Sequence, residues 1–260
     1  MLADSYFKHI GITKPDAVSL TLLKKIHKHH LLSIPFENLD IIAKIPLSMN
    51  PSQIMKKIAN SKRGGICYET NSLLFTVLQE TGFNVSYISA KFWNDEKLCW
   101  NPEFSHLAIL VTIDYQHYLA DVGVGGGFIE PILLKNNYEY SDRNGSYRML
   151  EIDKTTFILQ KFDKSWKDLL YISIDPKQLH QFHEQFMYYQ TSKETIFTQN
   201  KIVNLLTTDG RITLSDHQLK VIKNHSICIT HIKNQDEWQL MYNQIFSPVR
   251  HEFRVRNLKI

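Results

Sequence analysis

Cys67, His106 and Asp121 are the residues of this chain whose types and placing could do covalent chemistry. The cysteine stands in Arg63-Gly64-Gly65-Ile66-Cys67-Tyr68-Glu69-Thr70-Asn71, between a lysine-rich stretch of helical spacing and an apolar one. Gly64 and Gly65 permit a tight turn and close backbone approach, which places Cys67 in the first turn of the helix that follows. Unpaired backbone N–H groups and the helix dipole favour a thiolate at that point, and the same N–H groups could hold an oxyanion. A small, buried, inert thiol is the competing reading.

A sulfur nucleophile needs a base. Among twelve histidines, His27, His29 and His30 lie in a basic helical stretch and read as solvated surface. His106 differs because it opens the strand-like run Leu107–Val111, while Asp121 closes the run Tyr118–Ala120. Parity makes the pair testable. If the two runs form a hairpin with an even-numbered loop, His106 and Asp121 share a face. With Asp114-Tyr115 as a two-residue loop, His106 opposes Gly123 and Asp121 lies on the diagonal, roughly 7–8 Å away between backbones. A four-residue loop keeps the face but separates the pair. An orienting carboxylate would fix the histidine tautomer, completing a Cys-His-Asp set for thioester chemistry. The alternative for Asp121 is a turn residue before Gly123-Val124-Gly125-Gly126-Gly127. A zinc site made of the same three side chains is a further alternative.

The elements that must position these residues are legible in outline. Leu20, Leu22, Leu23 and Ile26, then Ile54, Met55 and Ile58, then Leu73, Leu74, Val77 and Leu78, recur at helical intervals, with Gly82 placed to end the last run. From Asn84 the texture turns to strands, including Val85–Ser89, Ser146–Ile152 and Thr156–Phe162, which form an antiparallel sheet or barrel. Beyond about residue 190, short strands (Arg211–Leu214, Ser226–His231) mix with a helix around Asp236–Ile245. The class is α+β: helices, then strands, then a small mixed region.

Bulk properties narrow the function. The chain has 260 residues and a formal net charge of +4, enough for a sizeable core and mildly attractive to anionic small molecules. It has no Lys/Arg stripe interleaved with aromatics, so nucleic acid is not expected as a partner. Three scattered cysteines, Cys67, Cys99 and Cys228, make neither a disulfide framework nor a CxxC zinc motif. The start of the chain has no signal-peptide core, and Leu107–Ile113 is too short to cross a bilayer. The expectation is a cytoplasmic protein without a membrane partner. Nothing in these residues sets the oligomeric state.

At several separate places the chain resembles the arylamine N-acetyltransferases. Tyr6-Phe7-Lys8-His9-Ile10-Gly11 is similar to the opening segment of that family, and Ile34-Pro35-Phe36-Glu37-Asn38-Leu39 to its PFENL element. Arg63–Asn71 resembles its RGGxCxExN nucleophile motif. His106 and Asp121-Val122-Gly123 fit its histidine and DVG positions, and Phe197–Asn200 and Asp209–Leu214 its FTQN and DGRxTL stretches. The matches run in order along nearly the whole chain.

The resemblance implies a helical bundle (1–85) bearing Cys67, a central antiparallel β-barrel (86–190) bearing His106 and Asp121, and an α/β lid (191–260), around a cysteine-protease-like catalytic core. It implies ping-pong transfer from acetyl-CoA, through acetyl-Cys67, to an arylamine, arylhydrazine or N-hydroxyarylamine, with no metal. It also implies that Glu37 and Arg63 pair in support of the cysteine loop, that Asn71 supports the triad, and that Phe36 lines the acceptor pocket. The chain departs from the family at Val124, where an aromatic is common, so a roomier acceptor pocket is expected. Gly125 and Gly126 would let the pantetheine of CoA pass close to the backbone, although a glycine-rich turn explains them equally well. Other readings of the triad are a cysteine protease or transglutaminase-like enzyme, or an amide synthase with a bulkier acyl donor. A catalytically silent protein that binds CoA or aromatic amines is another.

Overall fold

The computed structural model describes residues 1–13, 17–224 and 226–246. The chain opens with α1 (Leu2–Ile10), α2 (Leu20–Ser33), the short strand β1 (Phe36–Glu37), α3 (Leu39–Ile42), α4 (Pro51–Ser61) and α5 (Cys67–Thr81). Local chemistry sets these ends. Ser19 caps α2 by accepting the Leu22 N–H at 3.1 Å, Asn50 caps α4 ahead of Pro51, and Gly82 closes α5 at φ 98°.

The strands follow in the order β2 (Asn84–Asn94), β3 (Cys99–Trp100), β4 (His106–Ile113), β5 (Gln116–Ala120), β6 (Ile132–Leu133), β7 (Tyr138–Asp142), β8 (Gly145–Asp153), β9 (Thr156–Asp163) and β10 (Ser165–Lys177). Among the described residues they pair as β6-β5-β4-β2-β10-β9-β8-β7, with β3 on β2. The sheet rolls nearly into a barrel, because Leu110, Leu119, Tyr147, Met149, Leu159 and Ile172 from strands far apart in that order meet in one core.

A 3-10 turn at Leu179–Phe182, α6 (His183–Thr191) and α7 (Ile196–Gln199) lead to β11 (Ile202–Thr207), β12 (Gly210–Ser215), β13 (Gln218–Lys223), β14 (Ser226–His231) and α8 (Gln235–Phe246). These strands make a second sheet, which β1 joins by pairing Phe36 with Asn204 and Glu37 with Val203. The first segment therefore contributes an edge to the last one. Residues 247–260 of the expected lid lie outside the described residues.

Strand β4 explains the position of the site. It is buried on both faces, as a continuous apolar run requires. Ile109 and Val111 enter the helical core with Leu73 and Leu74, whereas Ala108 and Leu110 enter the barrel core. His106 shares the barrel-facing parity, and α5 packs directly across β4 and β2. Among the described residues no helix is long and apolar enough to cross a membrane.

Candidate active site

Cys67 is the first residue of α5 and is buried. The glycines before it serve close approach. A Cβ on Gly64 would sit 1.7 Å from the Pro35 carbonyl oxygen, and one on Gly65 would sit 2.5 Å from Glu69 Oε2. Glu69 folds back along its own helix and accepts the Ile66 N–H at 3.2 Å, which fixes the turn that delivers the cysteine.

The β4–β5 hairpin has Asp114 and Tyr115 as its two-residue loop, at φ 49° and 61°, the left-handed pair that a tight hairpin turn needs. Pairing runs from Ile113↔Gln116 to Ile109↔Ala120, and this is the register in which Asp121 lies diagonally from His106. The side chains meet: His106 Nε2–H donates to Asp121 Oδ2 at 2.6 Å. The other face of the imidazole, Nδ1, is left for the Cys67 side chain, which hydrogen-bonds the ring. Phe92 packs against the ring edge-on at 4.8 Å. Burial works against charge on His106, but the neighbouring Asp121 carboxylate and Cys67 sulfur outweigh it and the ring is pushed up to about 10. Burial likewise works against charge on Asp121. His106, Asn71 and the Gly123 N–H nonetheless hold its carboxyl below the usual range.

Asn71 lies one helical turn after Cys67. Its Nδ2 donates to Asp121 Oδ1 at 2.8 Å and to the Leu107 carbonyl at 2.7 Å, while its Oδ1 accepts the Val122 N–H at 3.0 Å. Gly123 then passes directly over the cysteine: a Cβ there would lie 2.5 Å from Cys67 Cβ and 2.6 Å from its Cα. Sequence reasoning places Gly123 opposite His106 and in the DVG match but not on Cys67, because that contact joins residues far apart in the chain.

Glu37 accepts Arg63 Nε at 2.8 Å, Arg63 Nη2 at 2.9 Å, the Gly64 N–H at 3.1 Å and the Leu39 N–H at 2.7 Å. Asp40 and Lys57 extend the pair. Arg63 reaches Asp40 at 2.8 Å, and Lys57 reaches Asp40 at 2.7 Å and Glu69 at 3.0 Å. Burial raises the Glu69 carboxyl to about 7, with Lys57 opposing the rise and Glu37 adding to it. Arg63→Met would leave the Glu37 and Asp40 charges to Lys57 alone. It is expected to lower unfolding stability by ~3–5 kcal/mol in urea titrations. A loss below ~1 kcal/mol would mean that the network is solvent-screened.

Phe36 packs against the cluster that contains Cys67 and Tyr68, with the Phe197 ring 6.0 Å from its own. Val124 is half-buried on the barrel-core side. The close approaches at Gly125 and Gly126 are used by protein side chains. A Cβ on Gly125 would touch Phe36 at 3.5 Å and one on Gly126 would lie 2.3 Å from Arg211 Nη1. Arg211 donates to the Gly126 carbonyl at 3.0 Å, so the second sheet holds this loop from the far side.

The reading of the α2 histidines as surface is corrected by the structure. His27 and His30 are fully buried, and His29 is half-buried with Nδ1–H donating to the Ile10 carbonyl at 3.0 Å. Leu23, Ile26, His27, His30 and Leu31 form one helical stripe facing the core, so the spacing carried the signal that the basic composition masked. Among the described residues no group of three or more His, Cys, Asp or Glu side chains is arranged to hold a metal ion.

A family model described as N-acetyltransferase matches residues 19–250. The arylamine N-acetyltransferase, liver isozyme, of Gallus gallus is 29% identical over 233 residues, covering 81% of this chain and 80% of that protein. The crystal structure of arylamine N-acetyltransferase C from Bacillus anthracis superposes with a TM-score of 0.85 at 25% identity, covering 93% of this chain and 96% of that one. The Salmonella typhimurium arylamine N-acetyltransferase shares the fold, with a TM-score of 0.88 at 22% identity over 97% of this chain and 94% of that one. With the family model spanning most of its length, the chain belongs to the arylamine N-acetyltransferase family and is an acyltransferase.

Proposed function

We propose that the enzyme moves an acetyl group from acetyl-CoA to the nitrogen of an arylamine, arylhydrazine or N-hydroxyarylamine through an acetyl-Cys67 intermediate. The observation that carries this is the continuous chain of contacts from Cys67 through His106 to Asp121, closed by the 2.6 Å bond between the last two. His106 takes the Cys67 proton, and the sulfur attacks the thioester carbonyl. The bond to the CoA sulfur breaks, and the leaving thiolate collects the proton from His106. The acceptor nitrogen then attacks acetyl-Cys67, gives its proton to His106 and releases the cysteine, to which the proton returns. Asp121 keeps Nδ1 of the ring towards the sulfur. The first N–H groups of α5, which have no partner within the helix, stabilise the developing oxyanion.

Phe36, packed against the cluster of Cys67, is assigned to the acceptor side, with Val124 beyond Gly123 forming its less aromatic wall. The donor's pantetheine is assigned to the Gly125–Gly126 side, where Arg211 sets the height of the loop. Cytoplasmic residence follows from a chemistry that needs a reduced thiol. Val124→Phe is expected to shift the ranking of arylamine acceptors by kcat/KM, with little change in acetylation by the donor. An unchanged ranking would remove Val124 from the pocket. The mechanism itself is tested by initial rates at varied donor and arylamine. Parallel double-reciprocal lines are expected, and intersecting lines would rule out departure of CoA before the acceptor binds.

A further inference from the structure

From Asp121 to Pro131 the backbone runs without helix or strand, yet this loop carries the carboxylate that holds His106 and the glycine that covers Cys67. Something outside the loop must fix its two ends. The His27 side chain, projecting from α2, meets both of them. A carbonyl oxygen 2.7 Å from Nδ1, that of Ile129, requires a proton on that nitrogen. The Asp121 N–H points at Nε2 from 3.2 Å and requires an acceptor there. The Asp121 carbonyl oxygen also lies 3.1 Å from Nε2, but it cannot be served while Nε2 accepts. Burial lowers the pKa of the ring, against the pull of the Ile129 carbonyl and the Asp121 charge, so the neutral imidazole with its proton on Nδ1 is the form present. Phe128, inside the same loop, stacks on the imidazole at 5.8 Å and 10°. One ring therefore contacts the loop at its start, through Asp121, and near its end, through Phe128 and Ile129.

We propose that His27 is a positioning residue for acetyl transfer: as a neutral Nδ1–H ring it ties Asp121 to Ile129 and so sets the Asp121 carboxylate against His106. The inference rests on the transferase reading of the site. Its physical basis is that a shift of about 1 Å in a catalytic group can cost about a hundredfold in rate.

The test compares wild type with His27→Phe, which keeps a ring and the stack but loses both hydrogen bonds, and with His27→Gln, whose amide offers one donor and one acceptor. In His27→Phe the rate of Cys67 acetylation by acetyl-CoA is expected to fall about ten- to a hundredfold. The far-downfield proton resonance of the His106–Asp121 bond should shift or broaden with it, and His27→Gln should recover most of both. A folded His27→Phe enzyme with the wild-type rate and an unmoved resonance would overturn the proposal. Nitrogen-15 spectra of histidine-labelled wild type need no variant. They should show His27 protonated on Nδ1 alone at neutral pH, and a proton on Nε2 would overturn the proposal even if both variants failed to fold. Wild type that is not acetylated at all would sink the transferase reading instead, with the His27 tautomer and the downfield resonance still measurable.

Discussion

Asp121→Asn is expected to fold normally and to acetylate Cys67 roughly four orders of magnitude more slowly than wild type, the scale seen when the orienting carboxylate of a serine-protease triad is made an amide. The size follows from the wiring. Asp121 Oδ1 accepts two donors, Asn71 Nδ2 at 2.8 Å and the Gly123 N–H at 2.9 Å, so in the variant that position must remain the oxygen. The amide nitrogen is then forced to face His106 Nε2, where Oδ2 stood. His106 must accept there and carry its proton on Nδ1, towards the sulfur it should deprotonate. Single-turnover mixing with acetyl-CoA measures the loss. A deficit under tenfold would mean that Asp121 holds structure without orienting the base.

Gly123→Ala should be nearly as damaging by a steric route. The added methyl would lie 2.5 Å from Cys67 Cβ, 2.6 Å from its Cα and 3.0 Å from Asn71 Nδ2, and two of those three neighbours are not the ends of flexible chains. Either α5 or the loop must move. An overpacked site of this kind costs about 1–3 kcal/mol in stability, and the displaced cysteine is expected to lose about a hundredfold in acetylation rate. Thermal unfolding and single-turnover rates on the same preparation separate the two effects. A variant with the wild-type rate would show that the loop yields without disturbing the sulfur.

Much of this arrangement is legible in the sequence because it depends on short-range rules. Helical spacing defines α2, α4 and α5, and Gly82 ends α5 where its position suggests. The parity of a two-residue loop at Asp114-Tyr115 is enough to put His106 and Asp121 on one face, and the ladder ending at Ile109↔Ala120 has that register. Contacts set by distant segments are not legible. The pairing of Phe36–Glu37 with β11 joins two residues to a strand far along the chain, and so short a strand leaves no pattern. Arg211 on Gly126 and Lys57 among three carboxylates are long-range placements of the same kind. His27 and His30 are a different failure: their stripe was readable, but three histidines among lysines suggested solvent, whereas a neutral imidazole can be held in a core, His27 by bonds to both ring nitrogens and His30 by the Tyr6 hydroxyl on Nδ1.

The central claim is that Cys67 carries the acetyl group between donor and acceptor. Intact-mass measurement after mixing the protein with acetyl-CoA, with no amine present, tests it most directly. Wild type is expected to gain the mass of one acetyl group, to lose it again when an arylamine is added, and to gain nothing as Cys67→Ala. Wild type with no adduct, or Cys67→Ala with the same adduct, would contradict the claim.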